Sequence, residues 1–242
     1  MAISANSLLH FTRTKTNLVS ILENGFYPRY CLEDFSETGV DFRHESKDKK
    51  FAIPMVCFCD IPLSKIEEHT KFYGEYGIGL KKAWGKQNKL NPLLYVTKNS
   101  SLSKHLAITR TALGKPTNGK DAHTNWTDVA SYIKPVVGNI YKNGRKKNSK
   151  KYFYDENEWR HVPTPKSGNF EPWLPQKNLS NEKTRKLDNN NLKRHTGLKF
   201  KYSDVKYLIV PSPSDAKRLA EKLINLANKE ILEKEKMKFT AL

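Results

Sequence analysis

Apolar positions alternate or cluster at intervals that mark out a first set of elements. "SLLHFTR" reads as a strand over Ser7–Thr12. In "TKTNLVSILENGF", Leu18, Ile21 and Leu22 recur at helical spacing, and Asn24-Gly25 supplies a helix stop. "MVCFCDI" is apolar on both faces, with Val56 and Phe58 opposing Met55, Cys57 and Cys59, as in a strand buried on both sides. After Pro62, "SKIE" has the form of a capping box, Ser64 as cap and Glu67 three residues on, for a helix reaching about Phe72.

Further along, "LLYVTK" (Leu93–Lys98) reads as a strand, and helical stretches are expected at Leu102–Leu113 and Asn125–Val137. "KNGRKKNSKKYFYDENEWRHV" begins as a basic loop and becomes a strand at Glu158–Val162. Residues 163–196 are polar throughout and read as a long loop, a type of segment that is often functional or mobile. "LKFKYSDVKYLIVP" gives two late strands bent at Ser203-Asp204. The last helix has Ser212 as cap, Pro213 at its first position and Asp215 in its first turn. Its stripe runs Ala216, Leu219, Ala220, Leu223, Ile224, Ala227 and Ile231, and its Lys/Glu-rich end reads as a solvated extension or a partner surface. Strands and helices without regular alternation imply an α+β fold, ending in a C-terminal helix, and not a doubly wound sheet. One domain over residues 1–242 is expected, its core at 7–162 and 198–231.

Charge narrows the function classes more than composition does. Lys+Arg 43 against Asp+Glu 25 gives a net +18, which points to a polyanionic partner or to lysine-rich solubility. No apolar run reaches the roughly 18 residues of a membrane span, and "MAISANSLLHF" does not read as a signal peptide. Three cysteines (Cys31, Cys57, Cys59) make no disulfide framework, so a reducing cytoplasm is the expected location.

Several motifs carry candidate chemistry. "GLKKAWGKQ" mimics a phosphate loop but has one residue too many between its glycines and Gln87 where Ser or Thr belongs. Cys57 and Cys59 share a strand face, yet lack further ligands at metal-binding spacing, so no metal is expected and core packing is the reading taken. Among seven histidines, His44, His69, His105, His123 and His195 read as surface or helix-end residues. Of the chain's 12 glycines, Gly74, Gly77, Gly79 and Gly85 crowd into "KFYGEYGIGLKKAWG". That bareness beside Tyr73 and Tyr76 serves either a flat ligand or a tightly crossing strand. "KNGRKKNSKKYFY" interleaves cations with aromatics, placing Arg145, Lys146, Lys147, Lys150, Lys151 and Tyr152 as nucleic-acid contacts or as a solvated loop.

The segments "SLLHFTR", "ILENGFYPRYC", "PMVCFCDIPLS", "YGEYGIGLKKAWG", "LNPLLYV" and "DENEWRHVP" together resemble the AbiGi family of bacterial abortive phage-infection proteins, over about Leu8 to Val162. The resemblance implies a phage-defence role beside a co-encoded nucleotidyltransferase toxin, with this chain as the antitoxin-like half or as a defence effector in its own right. The first functional reading is an ADP-ribosyltransferase-like protein, and the alternative is a non-catalytic antitoxin-like partner that also binds nucleic acid. A more distant likeness is to ADP-ribosyltransferases of the His–Tyr–Glu type acting on nucleic acid or a translation component, which implies an ADP-ribosyltransferase-like fold of split mixed and antiparallel sheets with flanking helices. That likeness implies NAD as substrate. It assigns His10 and Thr12 to the ribose, Tyr76 or Tyr73 with Gly77 and Gly79 to the nicotinamide, and Glu158 or Glu156 to the scissile bond. The pattern departs from that type at Leu80-Lys81-Lys82 and at Trp159.

Overall fold

A computed structural model describes residues 6–40, 49–112, 126–142, 145–166 and 168–239. In chain order the elements are β1 (Ser7–Thr12), α1 (Lys15–Asn24), β2 (Arg29–Asp34), β3 (Lys50–Cys59), α2 (Ile66–Tyr73), β4 (Tyr76–Lys81) and α3 (Lys82–Gln87). They continue with β5 (Asn91–Pro92), β6 (Leu94–Val96), α4 (Ser101–Ala112), α5 (126–130), β7 (Ile133–Pro135), β8 (Val137–Lys142) and β9 (Arg145–Tyr152). The last are β10 (Glu158–His161), β11 (Leu174–Pro175), α6 (Gln176–Ser180), α7 (Glu182–His195), β12 (Val205–Ile209) and α8 (Pro213–Phe239). The fold is mixed α+β with antiparallel sheets. Where one domain is expected, packing divides the chain into two compact units, each assembled from separated segments.

The first unit holds residues 1–26, 58–89 and 198–242. Its strands run β12–β4–β1, all antiparallel, and Leu9 of β1 pairs with Cys59. Leu9, Cys59 and Ile61 form a buried cluster with Phe11, Ile66, Tyr207 and Ile209 against it. The glycines of β4 explain themselves here. A β-carbon at Gly79 would lie 2.8 Å from the Tyr207 ring and 2.9 Å from Leu9, and one at Gly77 would lie 3.0 Å from the Phe11 ring. Neighbouring strands bring large side chains across β4, and only glycine leaves room.

The second unit holds residues 27–57 and 90–197. β2 pairs with β3 from Arg29↔Met55 to Asp34↔Lys50, β11 pairs with β3, and β10 lies between β3 and β5. One face of β2–β3 carries Phe51, Ile53 and Met55 into a core with Phe35, Val96, Ile133 and Trp173, where the Phe35 and Trp173 rings stack at 5.6 Å. The other face carries Tyr30 and Ala52 against Phe170, Leu174, Leu179 and Leu192.

Several expectations need correction. Ser64 does not cap α2: residues 63–65 form a 3-10 turn after Pro62, and Lys65 occupies the cap without a side-chain bond. The helix expected at 125–137 shrinks to residues 126–130, followed by β7, because Pro135 cannot continue a helix and Ile133, Lys134 and Pro135 pair in parallel with β6. The basic loop is a hairpin, β8 with β9, and the long polar loop holds β11, α6 and α7. Only one of the two late strands forms: Leu198 makes an isolated bridge to Phe26, and residues 202–204 are a 3-10 turn before β12. In α8 the expected cap is present, Asp215 N donating to Ser212 Oγ at 3.2 Å. Leu219 is buried, but Ala216, Ala220 and Ile224 are exposed, so the inward stripe turns towards Leu219, Leu223 and Leu226. His44 and His123 lie outside the described residues, as does the side chain of Ile231.

Candidate functional site

The most highly charged interior in the described residues is built on β10. In "EWRH", positions alternate between faces, so Glu158 and Arg160 point the same way and both are buried, Arg160 completely. Arg160 Nε donates to Glu158 Oε1 at 2.7 Å, Nη2 to Glu33 Oε1 at 2.6 Å and Nη1 to the Ser131 carbonyl at 2.9 Å. Lys134 Nζ, on β7, donates to Glu158 Oε2 at 2.6 Å and Glu156 Oε2 at 3.4 Å, and lies 4.4 Å from the centre of the Phe153 ring. Lys151 meets Glu156 Oε1 at 2.8 Å. Glu158 N donates to the Tyr95 hydroxyl at 2.9 Å.

Three acids and three bases thus neutralise one another, all of them buried except Lys151, which is partly exposed. Burial alone would raise the Glu158 carboxyl, but Arg160 and Lys134 outweigh it and hold it far below the usual carboxylate range. For Glu33, burial prevails over Arg160 and the carboxyl is pushed up. Burial also pushes up the Cys57 thiol, which hydrogen-bonds to Glu158, and raises Cys31 to about 11, so both are protonated thiols at neutral pH. Cys59 Sγ donates to the Leu9 carbonyl at 3.5 Å. Among the described residues no three His, Cys, Asp or Glu side chains gather as a metal site.

His10, Thr12 and Tyr76 sit in the first unit and Glu158 and Glu156 in the second. Register puts Thr12 opposite Tyr76 and His10 opposite Ile78, so His10, Thr12 and Tyr76 share one face. Gly77 and Gly79, opposite Phe11 and Leu9, present to the other face. The His10 ring packs against Phe26 at 5.1 Å and Phe58 at 5.6 Å. Thr12 Oγ1 accepts from Asn17 Nδ2 at 3.0 Å. The Tyr76 hydroxyl lies 3.4 Å from Asp215 Oδ2, whose partner oxygen binds Lys15 at 2.9 Å. Tyr73 is exposed and packs on Phe72 and His69. Lys82, in the phosphate-loop mimic, is engaged by the buried Asp60 carboxylate. A separate open groove of about 330 Å³, lined by Leu63, Glu67, Thr70, Glu75 and Ile209 among others, contains none of these residues.

Arg145, Lys146, Lys147 and Lys150 are exposed on β9, and Tyr152 at its end is 65% exposed. Asp34 fastens the hairpin to β2: its Oδ2 accepts from the Tyr141 hydroxyl at 2.7 Å and from Asn139 Nδ2 at 3.4 Å. Sequence reasoning misses Lys134 and Glu33, because Lys134 falls in the helix expected at 125–137 and nothing local marks Glu33 as a partner of β10. The hairpin had a signal in Asn143-Gly144, a dipeptide favoured in two-residue turns between strands.

These features define an α+β protein with a neutralised ionic interior and a basic β-hairpin, and no helix among the described residues is long and apolar enough to cross a membrane. The chain belongs to the AbiGi family, whose model, described as "Putative abortive phage resistance protein AbiGi, antitoxin", matches residues 24–211. The match reaches well past the segment that carries the resemblance in sequence and takes in α7 and β12, while His10 and Thr12 precede it. A relative, "Abortive phage resistance protein AbiGi" of Lactococcus lactis subsp. cremoris, is 29% identical over 207 residues, covering 77% of this chain and 82% of the relative. No solved structure matches the chain at a significant level.

Proposed function

We propose that this chain serves phage defence as the antitoxin-type member of a pair, restraining a partner toxin by binding it and not by transferring ADP-ribose. The family description supports the antitoxin role. The observation that carries the non-catalytic half is the state of Glu158. A carboxylate that stabilises an oxocarbenium-like centre must offer an oxygen to the sugar. Both oxygens of Glu158 are spent on Arg160 and Lys134 inside a buried network. His10, between two phenylalanine rings, and Tyr76, turned to Asp215, have structural partners as well.

The test is co-expression with the toxin of the proposed pair, scored by growth, together with calorimetry against NAD. Tyr76→Phe keeps the ring and removes the hydroxyl, so relief of toxicity should persist and wild-type protein should bind no NAD. NAD binding, or transfer of label from NAD to RNA, DNA or protein, would overturn the proposal. Glu158→Gln is a poorer discriminator, because stripping one charge from a buried network costs about 3–5 kcal/mol in its own right.

A further inference from the structure

The β8–β9 hairpin is a strongly charged surface that the antitoxin reading leaves without a role. Residues 137–152 contain six Lys and Arg and no acid. Lys151 is occupied by Glu156, and Lys150 approaches Glu37 at 4.0 Å. Arg145, Lys146 and Lys147 form no ion pair among the described residues. Two aromatic rings are exposed at the opposite end of the ribbon: Tyr152, paired with Val137 at its base, is 65% exposed, and Tyr154, just past β9, is 64% exposed and braced edge-on by Tyr95 at 5.4 Å.

The ribbon is also held firmly at its base. Asp34 takes Tyr141 and Asn139, Val136 N donates to the Val96 carbonyl at 3.1 Å, and Phe153 N to the Val136 carbonyl at 2.8 Å. Gly138 lets the Phe153 ring lie against the strand, since a β-carbon there would sit 2.8 Å from it. Cations towards the tip of the ribbon and exposed rings at its anchored base, roughly 16–23 Å apart along β9 at about 3.3 Å per residue, match an extended ligand that offers phosphates and open base faces along its length. An acidic protein surface would use the cations but leave the tyrosines idle. A duplex would bury the base faces in its own stack.

We infer that the β8–β9 hairpin binds single-stranded nucleic acid, with Arg145, Lys146 and Lys147 on the phosphates and Tyr152 stacked on a base. The inference does not depend on the toxin-restraining role, because it can be tested on the chain alone.

The experiment is fluorescence anisotropy of the full chain with a labelled mixed-sequence RNA of about 20 nucleotides, the same DNA strand, and its duplex, in salt from about 50 to 200 mM. Both single strands should bind more tightly than the duplex, and whichever is preferred identifies the natural source. Removing three cations together (R145A/K146A/K147A) should lower the log–log salt slope by about 2, at roughly 0.7 per phosphate contact on single strands. Tyr152→Ala should weaken binding roughly tenfold and leave the slope unchanged, the mark of lost stacking. The matched control is K217A/R218A/K229A, which removes as much exposed charge from α8. Melting temperatures verify that every variant is folded. The inference fails if nothing binds at low salt, or if the α8 control weakens binding as much as the hairpin variant. It also fails if the duplex binds as well as single strands while Tyr152→Ala is silent, or if polyglutamate competes as effectively as RNA.

Discussion

Glycine positions in the first unit show how much a single missing β-carbon can decide. Gly74 has φ +121°, and a side chain there would run into the Thr12 carbonyl and the Cα of Arg13, both backbone and unable to swing away. Gly168 has φ +73° but nothing within 4 Å. Alanine at Gly168 meets only the left-handed strain, about 1 kcal/mol. Alanine at Gly74 adds a backbone collision, so its cost should exceed that of Gly168→Ala by about 1–3 kcal/mol. Paired urea titrations of the two variants check this, and equal midpoints would contradict it. At this scale the cluster of glycines was legible in sequence, but its purpose was not. Whether a ligand or Tyr207 covers Gly79 depends on which strand pairs with β4, and β12 lies more than a hundred residues away in the chain.

Among the elements, α7 is the instructive one. "EKTRKLDNNNLKRH" contains just two leucines, of which Leu192 is buried and Leu187 is 68% exposed, so no apolar stripe announces a helix. Its stability comes from ends and polar contacts. Asn181 Oδ1 accepts from Lys183 N at 2.9 Å and Thr184 N at 3.2 Å, and Asn189 Oδ1 accepts from Tyr30 N at 3.0 Å. Basic residues at 193–195 complement the carbonyl end. Because so little apolar burial holds it, the cap matters more than usual. Asn181→Ala should cost about 1 kcal/mol and should speed amide exchange through α7 before it affects β2–β3. Exchange measured by mass spectrometry, peptide by peptide, tests that order. By contrast β1, α1 and the start of α8 were readable in advance, since each combines apolar periodicity with a local stop or cap.

For the whole molecule, the depressed carboxylates link stability to pH. Asp34 is held below its ordinary range: burial works against this, but hydrogen bonds from Ser36, Tyr141 and Asn139 prevail. Glu158 is depressed by Arg160 and Lys134 despite burial. Both groups release protons more readily folded than unfolded, so the unfolded chain takes up protons first on acidification. Their contribution is complete above about pH 5 and is lost as pH falls through the free-carboxylate range, near 4, towards the folded values. Glu33, pushed up by burial, acts in the opposite sense and offsets part of the loss. Tyr141→Phe removes a hydrogen bond to Asp34, so it should cost about 1.5–3 kcal/mol at neutral pH and flatten the acid limb. Chemical denaturation at a series of pH values measures both, and an unchanged acid limb in the variant would contradict the assignment.

Sequence sufficed for the α+β character, the strand at Ser7–Thr12, the stop of α1 at Asn24-Gly25, the Ser212 cap of α8, the family and the basic character of residues 142–151. All of these rest on interactions between residues a few positions apart, or on patterns that survive without coordinates. Tertiary structure alone decided that Glu158 faces Arg160, Lys134 and the distant Glu33, that His10 and Gly79 present to opposite faces, and that a polar segment coils into α7. Those outcomes follow from strand register and from burial, and both are settled by which remote segments meet and exclude water between them.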